Sequence, residues 1–437
     1  MKGKTKNLFA ACALLLLMLA LCLGGCGSQS ETGQSETAQS EAEQSEAEQS
    51  ESVVADGLAK IKVEGETDLP GNFFLSFVYS RNLIMLDGKG NIVWSKHEDQ
   101  PKDGVNTGWW DFKKHDVDGT TYYSYHDQNY QFDNYGLLGY APGERVILDE
   151  DFNEVKRITM EESDVTEKGQ GADGHDFLMI DPDHYILSCY VKENVKNVPG
   201  YPDGTNIIYS YLQEVKDGEV VWDWKSKDYP ELYDIIATEA TPTANDFANE
   251  QVDAPDTVHF NAMRLDDEGN LICSFRHLDT ILCLDRTKQK DQIKWKLSGK
   301  ADEFGLTELQ KTSGQHYVTV DGNQIMVFDN NNRDEQTEIR TYTVDTANKK
   351  VDPVKAFSFS NKFSQACGSV QKVDGDQSAG GQSAGEQSAR DLYVIGWGWA
   401  TTDAECMSVY DFSTGEELMH VTLGDPQNIT YRCVYYE

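Results

Sequence analysis

From Lys60 onward the apolar residues come in short alternating runs. Val, Ile, Leu, Tyr and Trp alternate with polar residues until a cluster of Asp, Asn or Gly ends the run. Period two places alternate side chains on one face of a strand, and Asp/Asn/Gly clusters suit tight turns. Six strand–turn–strand units stand out: Leu83–Trp94, Val146–Ile158, Tyr211–Trp224, Ile281–Trp295, Thr341–Phe357 and Met407–Val421. Their starts lie 63, 65, 70, 60 and 66 residues apart. So regular a recurrence predicts one supersecondary unit repeated along the chain. Each interval leaves room for two further strands. Four strands per repeat, set radially, is a β-propeller, so the pattern predicts an all-β fold, a six-bladed β-propeller. A linear solenoid is the alternative, but β-solenoid repeats are shorter. No long helical periodicity follows the N-terminus.

The first residues break the pattern. MKGKTKN is basic, and Leu8–Leu23 is apolar but short for a membrane span. The run ends Leu23-Gly24-Gly25-Cys26. Small residues before a Cys resemble a bacterial lipobox. Residues 1–25 are therefore expected to be a lipoprotein signal peptide, with Cys26 the lipidated first residue of the mature chain. Residues 26–56 are rich in Ser, Gln and Glu and hold no aromatic residue. Such a stretch cannot bury enough apolar surface to offset its ordering entropy, and it is expected to be a disordered tether. Residues 57–437 form the expected propeller domain, with a flexible insertion at 376–390, DQSAGGQSAGEQSAR. The expected location is extracytoplasmic, lipid-anchored to the bacterial cell membrane.

Charge narrows the ligands. The formal net charge is −36. That surface repels nucleic acid and anionic membrane, so no nucleic-acid partner is expected and the membrane is met only through the anchor. An anionic substrate would need a local positive pocket. Six cysteines remain beyond Cys26: Cys189, Cys273, Cys283, Cys367, Cys406 and Cys433. Six thiols allow 15 full pairings. Cys273 and Cys283 flank one hairpin and could face each other across it; buried free thiols are the alternative.

The histidines fall on the repeat. His175, His259 and His316 each open the first strand of three consecutive units, and in a propeller that strand lies innermost. They are expected to converge on one mouth of the central channel. His259 opens one strand of a hairpin and Arg276 closes the other, which returns both to one edge. His126 follows a strand as Arg276 does and is either a rim residue or an exposed strand end. His115 sits too close to its turn to join the set. His97, His184, His277 and His420 fall in turns or outer strands and are expected at the surface.

Three readings of the cluster are open. In the first, the histidines cap strand ends. In the second, three imidazoles hold a metal, but an adjacent Arg opposes a dication and no HExxH spacing pre-positions two ligands. In the third, Arg and imidazoles clamp a tetrahedral anion while one neutral imidazole attacks it. No P-loop or dinucleotide fingerprint is present. No cofactor and no metal are expected.

The run DTVHFNAMRLDDEGNLICSFRH, followed by ILCLDRTKQKDQIKWKLSG, resembles the core of the bacterial arylsulfate sulfotransferases. GHDF at 174–177, GQHY at 314–317, FDNNN at 328–332, Ile339-Arg340 and GSVQ at 368–371 are similar to further family landmarks. The resemblance spans most of residues 60–437 and implies a six-bladed propeller. It implies transfer of a sulfuryl group from a phenolic sulfate ester to a phenolic acceptor, without a nucleotide donor, by a ping-pong route through a sulfohistidine. It makes His316 the nucleophile, with His175, His259 and Arg276 holding sulfuryl oxygens and His259 exchanging a proton with the phenol. Asn261 and Asn330 become positioning residues. Phe177, Phe260, Tyr317, Trp397 and Trp399 are candidates to stack on the phenol ring, or are core. Leu297-Ser298-Gly299 departs from the commoner Leu-Gly-Gly, and Cys367 precedes GSVQ. A non-catalytic propeller lipoprotein that binds an anionic or aromatic ligand in the same funnel is the alternative.

Overall fold

The computed structural model describes residues 58–101, 107–137, 139–197, 199, 202–237, 256–373, 390–400, 404–424 and 429–437. The expected signal, Cys26 and the tether lie outside the described residues, as does all but the last residue of the 376–390 insertion.

The described chain is almost entirely strand and turn. β1 (Ile61–Gly65) comes first. β2 (Asn72–Phe77), β3 (Asn82–Leu86) and β4 (Ile92–His97) form an antiparallel meander. β5 (Trp109–Val117), β6 (Thr120–Gln128), β7 (Gly143–Leu148) and β8 (Glu154–Ile158) form the next. β9 (Leu178–Asp181), β10 (His184–Val195), β11 (Thr205–Lys216) and β12 (Glu219–Lys225) follow, with β13 (Asp256–Val258) parallel to β11. β14 (Phe260–Leu265), β15 (Leu271–Phe275), β16 (Thr280–Leu284) and β17 (Ile293–Leu297) make a four-stranded sheet. So do β18 (His316–Asp321), β19 (Gln324–Asp329), β20 (Glu338–Asp345) and β21 (Lys350–Ser358). β22 (Ser369–Val373), β23 (Leu392–Gly396), β24 (Glu405–Asp411) and β25 (Glu416–Leu423) come last, before β26 (Thr430–Tyr436).

The chain ends interlock. β26 pairs with β2 in the first sheet, and β1 pairs with β25 in the last. Both outer partners come from the far end of the sequence, so neither sheet is complete without the other terminus. One helix was not expected, α1 (Pro230–Ala237). Pro suits the first helical position, where its missing N–H has no intrahelical acceptor to reach. Leu232 and Tyr233 are both fully buried and hold the helix on the third sheet.

Alternation along each strand feeds two cores. Leu271, Cys273 and Phe275 pack with the preceding sheet, and Ile272 packs with the following one. Each Leu or Ile so buried contributes about 1.5–3 kcal/mol. The same alternation separates Cys273 from Cys283. Cys273 lies opposite Leu282 and Cys283 opposite Ile272, so the one-residue offset puts the two thiols in different cores. Cys406 and Cys433 come closest among the described thiols, Sγ to Sγ 3.8 Å.

Strands of different sheets are tied by buried charge. Asp111 sits at φ +51° within a register shift between Trp110 and Lys113, and there it accepts from Arg145 at 3.0 Å and Arg432 at 2.8 Å. Asp176 accepts from Lys113, from Arg264 at 3.0 Å, and from the Met263 backbone N–H at 2.8 Å, and lies 3.2 Å from Arg432. Removing one partner from a buried ion cluster strands the others away from water, at a cost of about 3–5 kcal/mol. Asp176→Asn is expected to lower unfolding stability by about that amount. Urea denaturation measures it; a loss below about 1 kcal/mol, the size of an exposed pair, would show that the cluster does not hold the strands.

Candidate active site

Three inner strands begin with the same irregularity. The register shifts between Phe260 and Ala262 on β14, between His316 and Val318 on β18, and between Trp110 and Lys113 on β5. A bulge bends the strand and re-aims the side chain at its start. On β18, Tyr317 takes φ +53°, and its ring lies beneath Arg264 and Arg432, 4.4 and 4.7 Å from their guanidinium carbons. His316 is then left facing a cavity. The Phe260–Phe275 pair at the open end of β14–β15 brings His259 and Arg276 together: the Arg276 N–H donates to the His259 carbonyl at 2.7 Å.

The cavity has a volume of about 60 Å³, several times the ~10–15 Å³ that one water needs. His175, His259, Arg276 and His316 all line it, and each is at most 4% exposed. The sequence placed these four together. Asp256 and His277 join them, and Trp110, Tyr431, Trp399, Val78 and Ile429 form an apolar side.

Hydrogen bonds fix each ring. His316 Nδ1 meets Asn330 Oδ1 at 2.8 Å. The Asn330 amide donates to the Ser364 and Cys367 carbonyls at 2.8 and 3.1 Å, so its oxygen must face the ring. Nδ1 therefore carries the proton and Nε2 the lone pair, and Nε2 meets no hydrogen-bond partner among the described residues. Burial first, and the Arg276 charge next, hold His316 well below its ordinary pKa. His175 Nδ1 lies 2.9 Å from both Asp173 oxygens. His259 Nδ1 lies 2.6 Å from Asp256 Oδ2, and its Nε2 lies 3.2 Å from His175 Nε2. Burial, then the neighbouring His175 and Arg276, push His259 well below its ordinary value too. Burial raises Asp256 to about 6.

Several expectations need correction. His277 was expected at the surface. It is 6% exposed and lines the cavity, because the turn after β15 folds it back until its Nδ1 donates to the Asp256 carbonyl at 2.7 Å. His126 is neither rim nor exposed strand end; it is fully buried, donating from Nε2 to the Ala141 carbonyl at 2.6 Å. Of the candidate aromatics only Trp399 lines the cavity. Phe177, Phe260, Tyr317 and Trp397 are core. Trp110 and Tyr431, stacked 4.8 Å apart, take the place they were expected to fill. Trp110 is the second residue of β5 and Tyr431 lies on β26, and only the closure of the chain ends sets them side by side. Asn261 does not reach the cavity; its amide donates to the Gln315 carbonyl at 2.7 Å and ties β14 to the strand that carries His316.

Asp256, His259 and His277 each offer one possible metal-ligand atom, all within 4.8 Å of one another. Most of those groups already bond to each other, while Asp256 Oδ1 is buried without a hydrogen-bond partner. His259 Nδ1 is on the Asp256 carboxylate, His277 Nδ1 is on the Asp256 carbonyl, and a guanidinium stands beside them. The donor set fits a hydrogen-bonded cluster better than a dication.

An all-β protein that gathers four buried imidazoles around one guanidinium has a site built to handle a small anion. The chain belongs to the arylsulfotransferase family: the family model "Arylsulfotransferase (ASST)" matches residues 126–379, more than half its length, and that span holds His175, His259, Arg276 and His316. Membership implies a sulfotransferase with small aryl substrates. No curated protein matches the chain. Among solved structures it is similar to a protein of unknown function from Bacteroides caccae, at 9% identity and TM-score 0.40, over 84% of this chain and 100% of that one. It is similar to virginiamycin B lyase from Staphylococcus aureus, at 9% identity and TM-score 0.34, over 83% and 99%. It is also similar to Synechocystis apocarotenoid oxygenase, at 9% identity and TM-score 0.38, over 87% and 95%.

Burial of neutral histidine has a consequence for stability. His115, His126 and His277 are lowered to about 3, 4 and 3, in each case mainly by burial. The unfolded chain binds protons below about 6.5 that the folded chain refuses. The contribution is complete above about 6.5 and is lost as the pH falls toward 4 and 3. The melting temperature is expected to fall between pH 7 and pH 4.5. His126→Gln keeps a donor for Ala141 but cannot titrate, so it should shrink that fall; an unchanged fall would show that His126 does not titrate on unfolding.

Proposed function

We propose that this protein is an arylsulfate sulfotransferase, a six-bladed β-propeller anchored by lipid at Cys26 on the outer side of the bacterial cell membrane. It moves a sulfuryl group from a phenolic sulfate ester to a phenol through a sulfohistidine, without a nucleotide donor. The observation that carries the reading is the His316 ring. Its Nδ1–H is held by Asn330, and its Nε2 lone pair is left to a cavity that also holds Arg276. A buried imidazole kept neutral is a competent nucleophile at neutral pH.

The reaction runs in two halves. His316 Nε2 attacks the sulfur; the N–S bond forms as the S–O bond to the aryl group breaks, and the electron pair leaves on the phenolate oxygen. Arg276 donates to the sulfuryl oxygens as charge shifts onto them, with His175 beside it in the same cavity. His259 supplies the proton that the phenolate takes. The acceptor phenol then returns a proton to His259 and attacks the sulfur in the reverse sense, freeing His316. Trp110 and Tyr431 offer the aromatic wall for the ring. The propeller reading rests on the spacing of the repeats and on the interlocked chain ends, and the anchor on Leu23-Gly24-Gly25-Cys26.

Phenolate release from a chromogenic aryl sulfate, followed with and without added phenol and with EDTA, tests the chemistry. Release should depend on the acceptor and survive EDTA, and mass spectrometry of the quenched enzyme should place sulfate on His316. His316→Gln should lose transfer by at least ~10³-fold, as removal of a nucleophile does. Acceptor-independent release that EDTA stops would instead favour a metal hydrolase at Asp256, His259 and His277. No release from any donor would favour a binding propeller. Lipid-precursor labelling should be lost in Cys26→Ser, and unchanged labelling would sink the anchor.

A further inference from the structure

The two facing histidines pose a problem of proton count. His175 Nε2 and His259 Nε2 lie 3.2 Å apart. Two lone pairs at that distance repel, and so do two N–H groups; the contact is favourable only with one proton between them. The far nitrogens do not relieve this. Asp173 receives the backbone N–H of His175 and the Ser188 hydroxyl at 3.2 Å each, as well as His175 Nδ1, and so acts as an acceptor. Tyr190 gives its only proton to the Phe260 carbonyl at 2.6 Å, which leaves its oxygen, 3.1 Å from His259 Nδ1, as a second acceptor beside Asp256. Both Nδ1 atoms thus carry hydrogen.

We propose that Asp256, His259, His175 and Asp173 act as one proton-sharing unit, in which a single proton between the two Nε2 atoms is the acid delivered to the leaving phenolate. The proposal rests on the sulfuryl-transfer reading above. Three links join the four groups, and three protons fill them. The unit then carries one net negative charge, which the adjacent Arg276 offsets. As the S–O bond breaks, the phenolate oxygen takes the shared proton and the two Nε2 atoms are left with none between them. That state is unfavourable, so the unit draws a proton back when the acceptor phenol arrives, and the two halves balance. The charged and titratable groups that face the unit are Tyr190 on β10, Arg276 and His277 after β15, His316 on β18 and Tyr431 on β26, while β5 adds the uncharged Trp110.

Asp173 and Asp256 are then positioning residues for an acid they do not touch the substrate to supply. His175 is half of the acid, which leaves Arg276 as the donor to the sulfuryl oxygens.

Two measurements on the full chain decide this. Nitrogen-15 spectra of histidine-labelled protein report the protonation of each ring nitrogen. At pH 7 both Nδ1 atoms should be protonated or shared with carboxylate, and the two Nε2 atoms should share one proton. Two bare or two fully protonated Nε2 atoms would overturn the proposal. Asp173→Asn and Asp256→Asn should cost kcat for phenyl sulfate roughly tenfold more than for nitrophenyl sulfate, because the poorer leaving group needs the acid more. Sulfate should still reach His316 from the nitrophenyl donor. Equal losses with both donors would mark the carboxylates as structural and overturn the proposal. Absence of sulfo-His316 in the unmodified enzyme would overturn the transfer reading and the acid role with it, while the ring-nitrogen spectra would still decide the shared proton.

Discussion

Asp111 and Asp176 are the constraint on which the rest depends. Both are buried, and between them they hold Lys113, Arg145, Arg264 and Arg432 from four different strands. Sheets that meet only through apolar faces can slide, because the hydrophobic effect has no direction. A charged hydrogen bond can form in one geometry and is costly to break in a dry interior. The cluster therefore sets β5, β7, β14 and β26 against one another. It reaches the site directly: Arg432 donates to the Asn261 carbonyl at 2.7 Å, and Asn261 in turn ties to the carbonyl just before His316.

The site follows the same rule at smaller scale. Three of the imidazoles, His175, His259 and His316, have one nitrogen fixed by a neighbour in their own loop or strand pair. Asp173 lies two residues from His175, Asp256 three from His259, and Asn330 two beyond Phe328, which pairs with His316 across a hairpin. The local partner settles the tautomer, and the fold only has to bring the other nitrogens to one point. The difference between the partners matters chemically. A carboxylate stabilises a protonated ring, whereas a neutral amide leaves burial to keep the ring uncharged. Burial first holds His259 and His316 alike well below their ordinary value, so the two rings differ in the partner on Nδ1.

The overall charge of −36 and the buried guanidinium are consistent with each other. A negative surface screens out large polyanions but acts weakly beyond about 8 Å in physiological salt. A desolvated Arg276 acts at contact, where the effective dielectric is low. The cavity can hold a small anion that the surface as a whole would repel.

Much was legible in the linear pattern. Period-two runs between Asp-rich turns determined strand and hairpin, since side-chain alternation is a local property of the backbone. The recurrence of His at strand starts, and the return of the His259 hairpin to Arg276, determined which four groups would meet. His277 was illegible because its burial depends on a turn after β15 that folds it onto Asp256 from another strand. Trp110 and Tyr431 are 321 residues apart in number and meet only when β26 crosses to β2. The separation of Cys273 from Cys283 hung on a one-residue register that alternation alone does not set. The sequence by itself determined strands, turns and the near neighbours of His175 and His259, Asp173 and Asp256, because those act over a few residues. The tertiary structure alone decided the facing of His175 on His259 and the aromatic wall beside them, because those contacts join strands that only the closed arrangement of sheets brings together.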